Sequence, residues 1–122
     1  MLIKDLYTVQ SFEQNETGVT ATIQIHKEHE VFKGHFPGNP VMPGVCMIQI
    51  IKELTEKATR KELFLSVSSN IKFMAIINPE KNDVLVLNLI ISEIDGDIKV
   101  KNTTFFEDTL ALKLNATFKI TA

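Results

Sequence analysis

The 122-residue chain predicts one α+β domain in which an antiparallel sheet wraps a single long apolar helix. Three observations lead there. From Met42 to Ile51 almost every residue is apolar, so the polar face of an ordinary surface helix is missing. The stretch is too short to span a bilayer and has to be wrapped by its own protein. The segments before and after it alternate apolar and polar residues, and short turn signals join the later ones into an antiparallel meander.

Leu6 to Gln14, the turn signal Asn15-Glu16-Thr17-Gly18, and Val19 to Ile25 read as a hairpin, with Val19, Ala21, Ile23 and Ile25 on one face. Lys27-Glu28-His29-Glu30 is a polar crossing, and Val31-Phe32 packs the approach to the next loop. His26 and His29 read as solvated. The helix continues through Lys52, Glu53, Glu56 and Lys57, whose charges bring its last turns into water. Beyond it, Leu63 to Val67 and Ile71 to Ile77 read as strands around Ser68-Ser69-Asn70, where a bend or bulge is expected. Asn78 to Asp83 is a loop. Val84 to Ile94, Ile98 to Phe106 and Leu110 to Thr121 then form the meander, turning at Asp95-Gly96-Asp97 and Glu107-Asp108-Thr109.

Composition narrows the partners. With 13 basic and 15 acidic residues and a formal net charge of −2, nothing favours a nucleic acid. The lone cysteine, Cys46, lies inside the apolar helix and reads as a small buried hydrophobe. A reducing, cytoplasmic setting suits it. The first residues have neither the charged and apolar regions of a signal peptide nor a transmembrane stretch, so secretion and membrane insertion are not expected.

Before the helix stands Gly34-His35-Phe36-Pro37-Gly38-Asn39-Pro40-Val41-Met42-Pro43-Gly44. Its prolines fix φ and restrain the residues before them, while Gly38 and Gly44 permit angles or close approaches that a side chain forbids. His35 is therefore held on a stiff support. This string, with the apolar helix at its end, resembles the signature of the hotdog-fold 3-hydroxyacyl-[acyl carrier protein] dehydratases of fatty acid synthesis. The resemblance in organisation covers essentially the whole chain, residues 1–122, as a single hotdog domain. It implies dehydration of 3-hydroxyacyl thioesters to trans-2-enoyl thioesters.

Such a reaction removes a weakly acidic proton from C2 and expels hydroxide from C3, so it needs a base, a proton donor and stabilisation of the thioester oxygen. It calls for no cofactor and no metal. An imidazole at His35 suits the base. The backbone N–H of Gly44, at the helix N-terminus, suits the oxygen. The resemblance adds Val45, Phe36, Gly38 and Pro43 as residues of the oxyanion and substrate pocket. Phe32, Phe36, Met42, Met47, Phe73 and Met74 are candidates for an acyl tunnel or for ordinary core.

The family's second catalytic group is a Glu or Asp on the central helix, contributed across a dimer interface, and here that position falls on Gln49. An amide can hydrogen-bond or place a water but cannot be a general acid. Glu53, one turn on, stands where many relatives carry a Gln, as if the two had exchanged places. It is an alternative acid, and its bland reading is a solvated residue near the helix end. Three readings follow: a dehydratase resting mainly on His35; a subunit of a heteromer whose partner supplies the carboxylate; an acyl-thioester-binding protein or hotdog thioesterase. The implied partners are an acyl-carrier-protein or coenzyme A thioester and a second chain, in a homodimer, a higher oligomer of dimers, or a heterodimer with a paralogue. The pathway is fatty acid synthesis or a related lipid or polyene route.

Overall fold

In a computed structural model of the protein, residues 5–32 and 41–121 are described, residues 67–69 by their backbone alone. The first hairpin joins β1 (Tyr7–Gln14) to β2 (Gly18–Ile25). Asn15 makes the turn: its Oδ1 accepts from the backbone N–H of Thr17 and of Gly18, each at 2.9 Å, an Asx arrangement that substitutes for ladder bonds. After a 3-10 turn at Glu30–Phe32 come α1 (Gly44–Thr59), β3 (Leu63–Phe73), β4 (Val84–Ile94), β5 (Asp97–Phe106) and β6 (Thr109–Ile120). All pairings are antiparallel, in the order β1-β2-β4-β5-β6-β3. One helix packed against a curled antiparallel sheet is the hotdog arrangement.

Two expectations change. Leu63 to Val67 and Ile71 to Ile77 join into one strand that ends at Phe73, short of Ile77, and the bulge expected at Ser68-Ser69-Asn70 is there: Asn70, at φ 55°, sits in a register shift between Ser69 and Lys72. His26 and His29 are half-buried and engaged rather than solvated. The ring of His26 bonds the Asp5 carbonyl at 2.7 Å and the Thr8 hydroxyl at 2.6 Å, and His29 Nδ1 accepts from the Val31 N–H at 2.9 Å. Both rings serve as local staples where the chain leaves the hairpin.

Period-2 patterning sets which face is dry. Val19, Ala21, Ile23 and Ile25 of β2 and Leu85, Leu87 and Leu89 of β4 are buried, and the residues between them face outward. β2 passes close to the β4 backbone at Gly18, where a Cβ would fall 1.8 Å from the Leu89 carbonyl oxygen. Backbone cannot move aside as a flexible side chain can. Gly18→Ala is therefore expected to destabilise the fold by about 3 kcal/mol or more, read as a lower denaturant midpoint; an unchanged midpoint would mean that β2 and β4 pair differently.

The helix fills the hollow of the sheet. Cys46, Met47, Ile50, Ile51, Leu54 and Thr55 are buried, and full burial of each large apolar side chain contributes about 1.5–3 kcal/mol. Thr55 satisfies its hydroxyl on the Ile51 carbonyl at 2.7 Å. Both sheet edges close on the flanks of α1. From β1, Tyr7 reaches Glu53 and Gln14 reaches the Ala58 carbonyl; Lys57 covers the Phe12 ring at 4.8 Å. Just ahead of β3's ladder with β6, the Leu63 N–H donates to Glu56 at 2.9 Å. α1 ends at Arg60, whose left-handed φ of 58° turns its N–H back to the Glu56 carbonyl.

Candidate active site

The start of α1 is built to leave donors free. Pro43, at φ −67° and ψ 146°, precedes the first helical residue and gives no side-chain cap. Its carbonyl accepts from the N–H groups of Cys46 at 3.1 Å and Met47 at 3.3 Å. Among the described residues nothing accepts from the N–H groups of Gly44 and Val45, the orphan donors that a helix N-terminus turns toward an anion or a developing oxyanion. The Phe73 ring stands beside them, its Cε2 3.4 Å from where a Gly44 Cβ would lie. Glycine leaves the backbone approachable there, and Val45 is 64% exposed.

One and a half turns along, Gln49 and Glu53 share a helix face with Tyr7. Gln49 Nε2 donates to Glu53 Oε2 at 2.7 Å, and the Tyr7 hydroxyl donates to Glu53 Oε1 at 2.8 Å. The expectation of a merely solvated Glu53 is corrected: it is half-buried, with each carboxylate oxygen taken by a neutral donor, because β1 folds over this flank of the helix. Burial, then the hydrogen bond and charge of Glu53, push the Tyr7 phenol well above its ordinary range, so it stays a protonated donor. The pattern on β1 shows nothing that marks Tyr7; its role comes from the curl of the sheet, which no local signal encodes.

The other predicted residues divide clearly. His35, Phe36 and Gly38 lie outside the described residues. Phe32, Met42 and Met47 belong to the core, whereas Phe73 and Met74 are 41% and 48% exposed. Cys46 is a buried free thiol whose pKa burial pushes up, which suits a hydrophobe and not a nucleophile. Among the described residues no group of His, Cys, Asp and Glu could hold a metal, and no helix is long and apolar enough to cross a membrane. A recess of about 480 Å³ bordered by Lys72, Asn88, Ile90, Lys101 and Lys113 opens on the outer face of the sheet, and none of the predicted site residues lines it.

Residues 10–110 match the ApeI-like family, described as ApeI dehydratase. The chain is 34% identical over 108 residues to the 3-hydroxyacyl-[acyl-carrier-protein] dehydratase FabZ of Lactobacillus helveticus, covering 82% of this chain and 72% of that one. The dehydratase heterocomplex ApeI:P from Xenorhabdus doucetiae shares the fold at a TM-score of 0.75 and 18% identity, over 92% of this chain and 96% of that one. A hypothetical thioesterase protein from Streptococcus pneumoniae, solved with coenzyme A, shares it at a TM-score of 0.67 and 12% identity, over 95% and 86% of the two chains.

Proposed function

The chain belongs to the ApeI-like dehydratase family, and from that premise we propose that it dehydrates 3-hydroxyacyl thioesters of acyl carrier protein to trans-2-enoyl thioesters. His35 takes the C2 proton, the C2–H electrons become the C2–C3 double bond, and the C3–O bond breaks. The departing hydroxide regains a proton from the imidazolium and leaves as water, so His35 ends neutral. The Gly44 N–H meets the thioester oxygen as charge gathers there, with Val45, Pro43, Phe36 and Gly38 shaping the pocket, and Gln49 orients the hydroxyl. The observation that carries this reading is the pair of N–H groups at Gly44 and Val45 that no acceptor claims among the described residues, shortly after the His35 motif in sequence, in a chain of this family. The cytoplasm is its setting, which suits an unpaired, buried Cys46.

A second reading rests on Gln49. If a related chain brings the carboxylate, the working unit is a heteromer, and the similarity in fold to a dehydratase heterocomplex supports it. Assaying the purified chain, alone and with any co-encoded paralogue, on 3-hydroxyacyl thioesters separates the cases. Enoyl product from the chain alone supports the first reading, product only with the paralogue the second, and free thiol without enoyl product a thioesterase. No product of any kind overturns every enzyme reading and leaves acyl-thioester binding without turnover.

Either enzyme reading pairs this chain with another. β3 is an edge strand, and Phe64, Leu65, Ile71 and Phe73 on it, with Met74 and Ile76 beyond and Val45 at the helix start, are exposed large apolar residues. An open apolar edge of this kind invites a second copy that continues the sheet. We expect a dimer at micromolar concentration by light scattering, and Ile71→Lys to weaken it at least about tenfold by placing a charge in the joint. A parent that stays monomeric would remove the shared site.

A further inference from the structure

We propose that Glu53 and Tyr7 are positioning residues that set the direction of the Gln49 amide, an inference that rests on the dehydratase reading above. An ionised carboxylate can only accept, so with the Tyr7 hydroxyl donating to one oxygen, the group that Gln49 turns to the other must be its NH₂ and not its carbonyl. That choice leaves Gln49 Oε1 and one N–H without partners among the described residues. Those two groups are what Gln49 has to offer a substrate hydroxyl, an acceptor for its proton and a donor for its oxygen. No cation pairs with Glu53 among the described residues, so its charge is spent on these two neutral donors rather than neutralised. Tyr7, held protonated, keeps the carboxylate from rotating toward water.

An amide at position 53 would lose this one-way instruction. It presents a carbonyl or an NH₂ equally well, so Gln49 could face either way, and the hydroxyl would meet the wrong end for part of the time. Glu53→Gln is expected to lower kcat about 10- to 100-fold with little change in KM, the mark of misorientation rather than lost binding. Tyr7→Phe should give a smaller loss of the same kind, and Glu53→Asp, which keeps the charge, should recover part of the rate. The second readout is independent of turnover: the side-chain amide NMR signals of Gln49, identified by their loss in Gln49→Ala, should shift in Glu53→Gln. Unmoved signals, or moved signals with kcat unchanged, would overturn the proposal. A parent that turns over no 3-hydroxyacyl thioester, alone or with a paralogue, overturns the dehydratase reading and the role given to Gln49 with it, whatever the amide signals do.

Discussion

Replacing His35 with alanine is expected to abolish dehydration, with kcat/KM falling on the order of 10²- to 10⁴-fold while the fold and assembly survive. At about 1.4 kcal/mol per tenfold, that loss is the largest any single side chain of this chain should cause. No other imidazole can take over. His26 is committed on both ring nitrogens, to the Asp5 carbonyl and the Thr8 hydroxyl, and His29 accepts from the Val31 N–H. The prolines of the loop are untouched by the change, so circular dichroism and the unfolding midpoint should match the parent. Activity within a few-fold of the parent, in a protein so verified, would move the chemistry away from His35.

Much of the fold is legible in the sequence because its signals are local. Alternating burial and turn residues such as Asn15 and Gly96 place β1, β2, β4, β5 and β6 to within a residue or two, and the apolar run after Pro43 places α1. What stays hidden depends on geometry between elements. Ser68-Ser69-Asn70 reads as a bend or bulge, but that β6 carries the ladder past it, so that β3 runs on as one strand to Phe73, has no local mark. The pairing of β2 with β4 spans the whole helix and has no local mark, and neither has Gly18, whose need for a missing side chain arises only from that pairing. The site divides the same way. In the proposed site, His35 and Gly44 are read from the motif, and Gln49 from its place on the helix. The tie from Tyr7 to Glu53 crosses 46 residues of sequence and exists only because the sheet edge closes over α1.

That tie changes what Gln49→Glu should do. In the parent, the amide at 49 donates to the carboxylate at 53 over 2.7 Å; a carboxylate in its place would face another carboxylate at hydrogen-bonding range. Two such groups do not both ionise there, so they share a proton and titrate as a pair, with one member raised well above the ordinary carboxyl range. A proton held at neutral pH is what a general acid needs to deliver to the leaving hydroxide while His35 takes the one from C2. Turnover should rise about tenfold or more, roughly 1.4 kcal/mol off the barrier for each factor of ten. The same shared proton has a cost in stability, and its sign is fixed. A raised folded-state pKa means that the native protein binds more protons than the unfolded chain, so the pair is harmless below the unfolded Glu value of about 4.3 and stability falls as pH rises through the folded one. The melting temperature of Gln49→Glu should therefore drop toward neutral pH more steeply than the parent's. Adding Glu53→Gln makes the full exchange, in which the amide again donates to a carboxylate, now with the acid where the resemblance to the dehydratases puts it. The steep pH dependence of stability should vanish in this double variant, and with no second carboxylate to hold the proton the gain in turnover should persist only toward lower pH, where the carboxyl at 49 is still protonated. If the second reading holds, the exchange instead confers activity on the chain alone where the parent has none. A correctly folded dimer of the double variant no faster than the parent, at any pH, would mean that the acid belongs to a partner chain or that the site works through the amide itself.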